Sequence, residues 1–265
     1  MGWRNPIREK LRRDEPVFGA TVTVPSTDIA VRLAGAGFDF LWFEMEHSPL
    51  TLQSFRDMVL ATRSLPALPL ARVPVNELWT AKRVLDAGAA GVVFPFTSTP
   101  DLARRAVAAC KYPPAGLRGS GAALAAARWD QEDYYNLADR EFLVVTVVED
   151  RRGLENIEEI AAVDGIDIIF IGASDLSFSL GLRGRQDAPE LRMAIGRIRD
   201  AARAEGKFVG RPVFAGESME TYLREGFRFF QANTDLGYLS EGAAAFLEAV
   251  GRKTRRGDPA GDPAI

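Results

Sequence analysis

FLVVTVVEDRRGLENIEEIAAVDGIDIIFIGASDLS, residues 142–177, decides the fold. Two runs within it, FLVVTVV and IDIIFIG, are apolar along their length and rich in β-branched residues, the pattern of strands buried on both faces. Between them, LENIEEIAAV places its apolar residues at helical spacing. Strand, helix and strand in that order form a βαβ unit, and each strand ends in an acid, Glu149 and Asp175. In parallel α/β folds the chemistry gathers beyond the carboxyl ends of the strands. Two carboxylates there suit one hard divalent cation that keeps positions open for substrate. The plainer reading is that polar residues end buried strands, with Asp175 at a helix N-terminus, where an acid is favoured anyway.

Outward from this unit the same alternation repeats. Strands are expected at 18–24, 38–46, 68–73, 91–96, 207–213 and 228–235. Helices are expected up to Ala36 from a cap at Ser26 or Thr27, and at 52–64, 77–87, 100–111, 188–205, 218–225 and 240–250. Residues 4–13 read as a short amphipathic helix able to cap one end of a barrel. The stretch 112–141 interrupts the alternation and is long for a plain loop, so it is expected to be functional or to carry its own helix. Eight strand–helix alternations without a linker predict an α/β fold, a (β/α)8 TIM barrel filling residues 1–265 as a single domain. The end of the chain, GRKTRRGDPAGDPAI (251–265), reads as a flexible C-terminal tail.

Composition sets the class. A chain of 265 residues with 47% hydrophobic and 26% charged residues has ample core for a globular protein. A net charge of −3 offers no footprint for nucleic acid or an anionic membrane. Cys110 stands alone, which excludes an internal disulfide and cysteine-rich zinc sites and fits a reducing compartment. The charged N-terminus lacks a signal-peptide core, and no stretch nears the ~20 apolar residues needed to span a bilayer. A cytoplasmic, soluble enzyme is expected.

The predicted strand ends carry Glu44, Glu46 and His47; Arg72; Phe96 and Thr97; Glu149; Asp175; Pro212; and residues 233–235. His47 is the single histidine, the one side chain here whose ordinary pKa lies near neutrality, and so the candidate base. Arg72 ends an otherwise apolar strand, where a cation needs anionic partners, either substrate or acids, the plain reading being a salt bridge with Glu44 or Glu46. Asp86 falls in the last turn of a helix before Gly88, where the macrodipole disfavours an acid. It is read as a carboxylate that orients His47 and raises its basicity, against the alternative of an ordinary surface acid.

As a set, FDFLWFEMEHSP, LARV, VLDAGAAGVVFP, YPPAGLRGSG, Arg128-Trp129, VVEDRRGLENI and IFIGASDLS resemble the HpcH/HpaI aldolase family from about Gly19 to Asp235. The resemblance implies a metal-dependent, class II pyruvate aldolase that joins or separates pyruvate and an aldehyde through a pyruvate enolate. Glu149 and Asp175 would then hold Mg²⁺ or Mn²⁺, with Co²⁺ also suited, and His47 with Asp86 would act as base. Arg72 would lie over the enolate oxygen, and backbone groups of Gly172, Ala173, Ser174 and Asp175 would hold the carboxylate of the 2-oxo acid. It also implies a homotrimer or homohexamer with exchanged C-terminal helices, to which the apolar FLEAV of the last helix adds support. The sequence departs from the family in Glu44-Met45-Glu46-His47, where Asp-Gly-Glu-His is usual, and in Gly172-Ala173-Ser174-Asp175, where Gly-Pro-x-Asp is usual.

The rivals are weaker. A Schiff-base aldolase needs a lysine inside the barrel, whereas Lys10, Lys82 and Lys111 fall on helices, Lys253 in the tail and Lys207 at the wrong end of its strand. A citrate-lyase-like enzyme acting on acyl-CoA would need a site for the nucleotide. A non-catalytic barrel used for binding would be expected to have lost one of His47, Arg72, Glu149 or Asp175.

Overall fold

The computed structural model describes residues 3–129, 133–213 and 218–252. Its strands are β1 (Val17–Val22), β2 (Phe40–Glu44), β3 (Leu68–Arg72), β4 (Gly91–Phe94), β5 (Leu143–Val148), β6 (Ile168–Ile171), β7 (Phe208–Pro212) and β8 (Phe229–Thr234). They are parallel, pair in chain order and close through β8 on β1, which is the (β/α)8 barrel read from the alternation. The first helix, α1 (Pro6–Arg12), precedes the barrel. Outside it run α2 (Thr27–Ala34), α3 (Leu52–Ala61), α4 (Leu78–Asp86) and α5 (Pro100–Cys110). The interrupting stretch carries two helices of its own, α6 (Ala123–Trp129) and α7 (Tyr134–Glu141). Then follow α8 (Arg151–Glu155), α9 (Ile157–Ala161), α10 (Ala173–Ser179), α11 (Pro189–Ala204), α12 (Met219–Glu225) and α13 (Asp235–Ala249). No helix among the described residues is long and apolar enough to cross a membrane. Most of the tail expected at 251–265 lies outside the described residues.

Strand side chains alternate, so every second residue points into the barrel. Phe40, Trp42, Leu68, Leu70, Val93, Leu143, Val145, Val147, Ile168, Phe170 and Phe229 fill it as one buried cluster. Large rings need small neighbours. Phe40 stacks on Phe229 at 4.4 Å, and a Cβ at Gly19 would fall 1.9 Å from the Phe40 ring. Truncating Phe229 to Ala should therefore cost about 3–5 kcal/mol.

The N-terminal helix closes the amino-terminal mouth, as its amphipathic pattern suggested. Ile7 and Leu11 are buried in the same cluster. Polar residues dock it to segments that lead into strands: Arg8 on Asp167 at 2.5 and 2.7 Å, Lys10 on Asp39 at 2.6 Å, and Asn5 on Glu141. With that end sealed, the open end is the carboxyl one.

Several boundaries differ from the sequence reading by a few residues, and three of the differences have a clear local reason. β2 stops at Glu44 rather than 46 because the Glu44 carboxylate turns back to accept from the amides of Glu46 and His47. β4 stops at Phe94 because Phe96 takes φ 44°, in the left-handed region. The helix expected between β5 and β6 is two, parted at Asn156, whose side-chain amide donates to Ser98 O at 2.9 Å.

Candidate active site

Alternation carries one step past the apolar core to the rim. Two residues beyond Trp42, Leu70, Val147 and Phe170 stand Glu44, Arg72, Glu149 and Gly172, so these face inward at the carboxyl end. Glu44, Arg72 and Glu149 are all buried. Burial of three ionisable groups is costly unless they satisfy one another.

Arg72 does that work. Its Nη1 donates to Glu44 Oε2 at 3.3 Å, and its Nη2 lies 2.6 Å from Glu46 Oε2 and 3.4 Å from Glu149 Oε2. Burial opposes the guanidinium charge, but the carboxylates of Glu44, Glu149 and Glu46 outweigh it and hold the Arg72 pKa above its ordinary value. Glu44 is the fully buried hub of the turn: it accepts from Trp42 Nε1 at 3.1 Å and from the Glu46 and His47 amides at 2.9 and 3.2 Å. The Ser48 hydroxyl closes the turn on the Glu44 carbonyl. This carboxylate thus holds the segment that presents His47.

Glu149 accepts from the Phe96 amide at 2.7 Å, the bond for which Phe96 takes its unusual backbone angle. Burial, with the negative charges of Asp175 and Asp150, pushes the Glu149 pKa up to about 6 against the pull of Arg72 and the Phe96 amide. Burial likewise pushes Glu46 up to about 7; Arg72 opposes the shift, and Glu149, Glu44 and Asp175 add to it. Acids held above their ordinary range by burial, and further by one another's field, mark a place where a cation is wanted.

The residues present fit a divalent metal. Gly172 keeps the Glu149 carboxylate clear, since a Cβ there would fall 2.6 Å from Glu149 Cβ and 2.7 Å from its Oε2. Asp175 stands exposed in the first turn of α10, a helix whose N-terminus has no side-chain cap. Among the described residues no three His, Cys, Asp or Glu side chains are grouped to hold a metal. The chain thus offers two hard oxygen donors, leaving the other positions to substrate and water, as Mg²⁺ tolerates.

His47 is half-exposed at the rim, its Nε2 3.7 Å from Glu46 Oε2. The contact drawn between His47 and Asp86 does not form within the chain. Asp86 ends α4, which runs back from the carboxyl end of β3 to the amino end of β4, so it lies at the opposite face of the barrel from His47. There it accepts from Arg118 Nη2 at 2.9 Å, and Arg118, itself buried, also donates to Tyr134 OH at 2.9 Å. The reading of Asp86 as an ordinary surface acid fails too, because the interrupting stretch supplies this partner.

Sequence reasoning allowed Glu44 or Glu46 as the anionic partner of Arg72, and both pair with it, but it gave no role to the Phe96 amide. Glu44 and Glu46 were visible as acids flanking His47 on a strand end. The Phe96 amide had no signal, because a backbone donor leaves no trace in residue type.

Comparison with known proteins gives the family. Residues 22–241 match the sequence profile of the family described as HpcH/HpaI aldolase/citrate lyase. The chain is 37% identical over 251 residues to a 4-hydroxy-2-oxo-heptane-1,7-dioate aldolase of Salmonella paratyphi A, covering 94% of this chain and 95% of that protein. It is 35% identical over 253 residues to a hydroxypyruvate/pyruvate aldolase of Paraburkholderia phytofirmans, covering 93% and 97%. A crystal structure of an HpcH/HpaI aldolase/citrate lyase family protein from Burkholderia cenocepacia J2315 superposes with a TM-score of 0.86 at 36% identity, covering 93% of this chain and 99% of that one.

Proposed function

The chain belongs to the HpcH/HpaI aldolase/citrate lyase family, and from that premise we propose a divalent-metal-dependent class II aldolase that forms or cleaves 4-hydroxy-2-oxo acids from pyruvate and an aldehyde. Its relatives are named as aldolases, so an aldehyde-lyase enzyme is the activity the comparisons support. The observation that carries the finer reading is the meeting of Glu149, Arg72 and the His47 turn at one rim.

Bound between Glu149 and Asp175, Mg²⁺ or Mn²⁺ would supply Lewis acidity to the 2-oxo group of the substrate. The rest falls to side chains. Arg72 faces the position where negative charge develops on the keto oxygen, and its three carboxylate contacts hold the guanidinium in place. The uncapped first turn of α10, with the amides of Ala173, Ser174 and Asp175, would receive the carboxylate of pyruvate. His47 would move the proton at the C4 hydroxyl. In cleavage it takes that proton as the C3–C4 bond breaks, giving the aldehyde and the pyruvate enolate, whose C3 then takes up one proton to become the methyl group. Synthesis runs the same steps in reverse, a methyl proton leaving first and the new C4 alkoxide taking one up last. Atoms balance without an oxidant or reductant.

An assembly of three or six chains suits the last helix. Leu236, Leu239, Phe246 and Val250 along it and at its end are 52%, 69%, 67% and 56% exposed, an apolar surface that exchange between subunits would cover. The buried Cys110 thiol fits a cytoplasmic setting.

The deciding experiment is exchange of the pyruvate methyl protons with deuterated water, which needs no knowledge of the aldehyde. Exchange should vanish after chelation and return with Mg²⁺, Mn²⁺ or Co²⁺. Full exchange by the stripped protein would refute the metal role.

A further inference from the structure

We propose that the acceptor side of the site selects an uncharged, hydroxylated aldehyde, and that Gln231 is the residue that reads its hydroxyl. The inference rests on the pyruvate aldolase reading and deepens it.

An open cavity of about 640 Å³ begins at His47 and spreads over the carboxyl ends of β1, β7 and β8. Its floor follows from the same alternation as the catalytic rim. Gln231 stands two residues beyond Phe229 and Thr21 two beyond Gly19, so both project inward above the ring stack. The backbone carbonyl of Gln231 is taken by the Val213 amide. Its side-chain amide has no hydrogen-bond partner among the described residues although it lines the cavity. A free primary amide is both donor and acceptor, the complement of a hydroxyl group. Thr21 gives its proton to Ala232 O at 3.1 Å and keeps only lone pairs for a ligand.

Among the described residues that line the cavity there is one carboxylate and no Lys or Arg. Glu241 lines the outer part, held at 2.8 Å by the neutral amide of Asn233, which leaves its negative charge uncompensated by that contact. Glu46, beside His47 at the inner end, is already paired with Arg72 at 2.6 Å and adds no free charge. An aldehyde with a second carboxylate would meet this field a few ångströms away, at a cost of a few-fold in affinity near the surface. A neutral aldehyde with hydroxyl groups meets donors and acceptors instead. A hydroxyl recognised by one neutral amide is worth about two- to tenfold in selectivity.

The test uses the full chain loaded with Mn²⁺, saturating pyruvate and three acceptors: glyceraldehyde, propanal with the same carbons and no hydroxyl, and succinate semialdehyde with a distal carboxylate. Glyceraldehyde should exceed propanal by about two- to tenfold in kcat/KM, and exceed succinate semialdehyde by at least as much. Gln231→Met should bring the glyceraldehyde-to-propanal ratio towards one, and Glu241→Gln should raise succinate semialdehyde relative to glyceraldehyde. Each ratio is taken within one protein, so a reduced folded fraction cancels; Gln231→Leu serves as a second variant. Succinate semialdehyde equal to or better than glyceraldehyde in the wild type would overturn the proposal. So would a ratio unchanged in both Gln231 variants. Pyruvate exchange without any condensation onto glyceraldehyde would overturn it and leave the enolate chemistry standing, whereas absence of exchange would remove both.

Discussion

Replacing Arg72 by Met keeps the aliphatic stem and removes the one guanidinium that touches Glu44, Glu46 and Glu149. The Glu44 and Glu149 side chains are 0% and 1% exposed, so neither can turn to water for compensation. Stranding a buried charge in this way costs about 3–5 kcal/mol. For a chain of this size that is a fall in Tm of roughly 6–20 °C at pH 8. The pH dependence has a fixed sign. Glu149 and Glu46 already have pKa values raised to about 6 and about 7, and Arg72 is a force that lowers both. Its loss must raise them further. A carboxyl whose folded pKa lies above its unfolded value contributes stability below the unfolded pKa and loses it as pH rises through the folded one. The gap between wild type and Arg72→Met should therefore be widest near pH 8 and shrink towards pH 5. Thermal melts of both proteins, metal-free, across pH 5–8.5 read it directly. A gap below 2 °C at pH 8, or one that grows as pH falls, would refute the view that Arg72 holds these acids ionised.

Gly172→Ala should weaken Mn²⁺ binding by at least tenfold in a calorimetric titration, because the added Cβ would fall 2.6 Å from Glu149 Cβ; unaltered affinity would detach Glu149 from the metal. If Asp86 serves His47 at all, it must come from another copy of the chain. His47→Ala and Asp86→Asn subunits refolded together at equal ratio should then recover about a quarter of the wild-type rate, the fraction of sites that receive both intact residues. Recovery no better than the mean of the two parents would leave Asp86 a partner of Arg118 alone. The same preparations should sediment as trimers or hexamers, and a mass near the 29.0 kDa of one chain would exclude the premise.

The barrel was legible because strands buried on both faces leave a continuous apolar run, and eight such runs parted by helical spacing admit few other closures. Strand ends were less legible. Glu44 and Phe96 end their strands through a carboxylate that turns back on two amides and a backbone angle bent towards Glu149. Neither is a property of residue type. Arg72 and Glu149 were legible as the polar residues that end two apolar runs, and the structure turns both inward at that rim.

Asp86 shows where that spacing argument stops. A strand-end residue is located by the barrel itself, because the strand passes through the common centre. A helix-end residue is located by the direction of its helix, and every helix here returns to the amino face. The topology that gathers His47, Arg72 and Glu149 therefore carries Asp86 away from them by the length of α4. An acid unfavourable for its own helix dipole is retained there against the buried Arg118, between the Tyr112 and Tyr134 rings at 4.6 and 5.6 Å. That pairing fixes the carboxylate on the outside of the barrel, at the end of α4 opposite to the exposed Leu78 and Trp79. A charge so firmly positioned outside the barrel is one a neighbouring subunit could use, which is why subunit mixing, rather than a single substitution, is the measurement that decides its role.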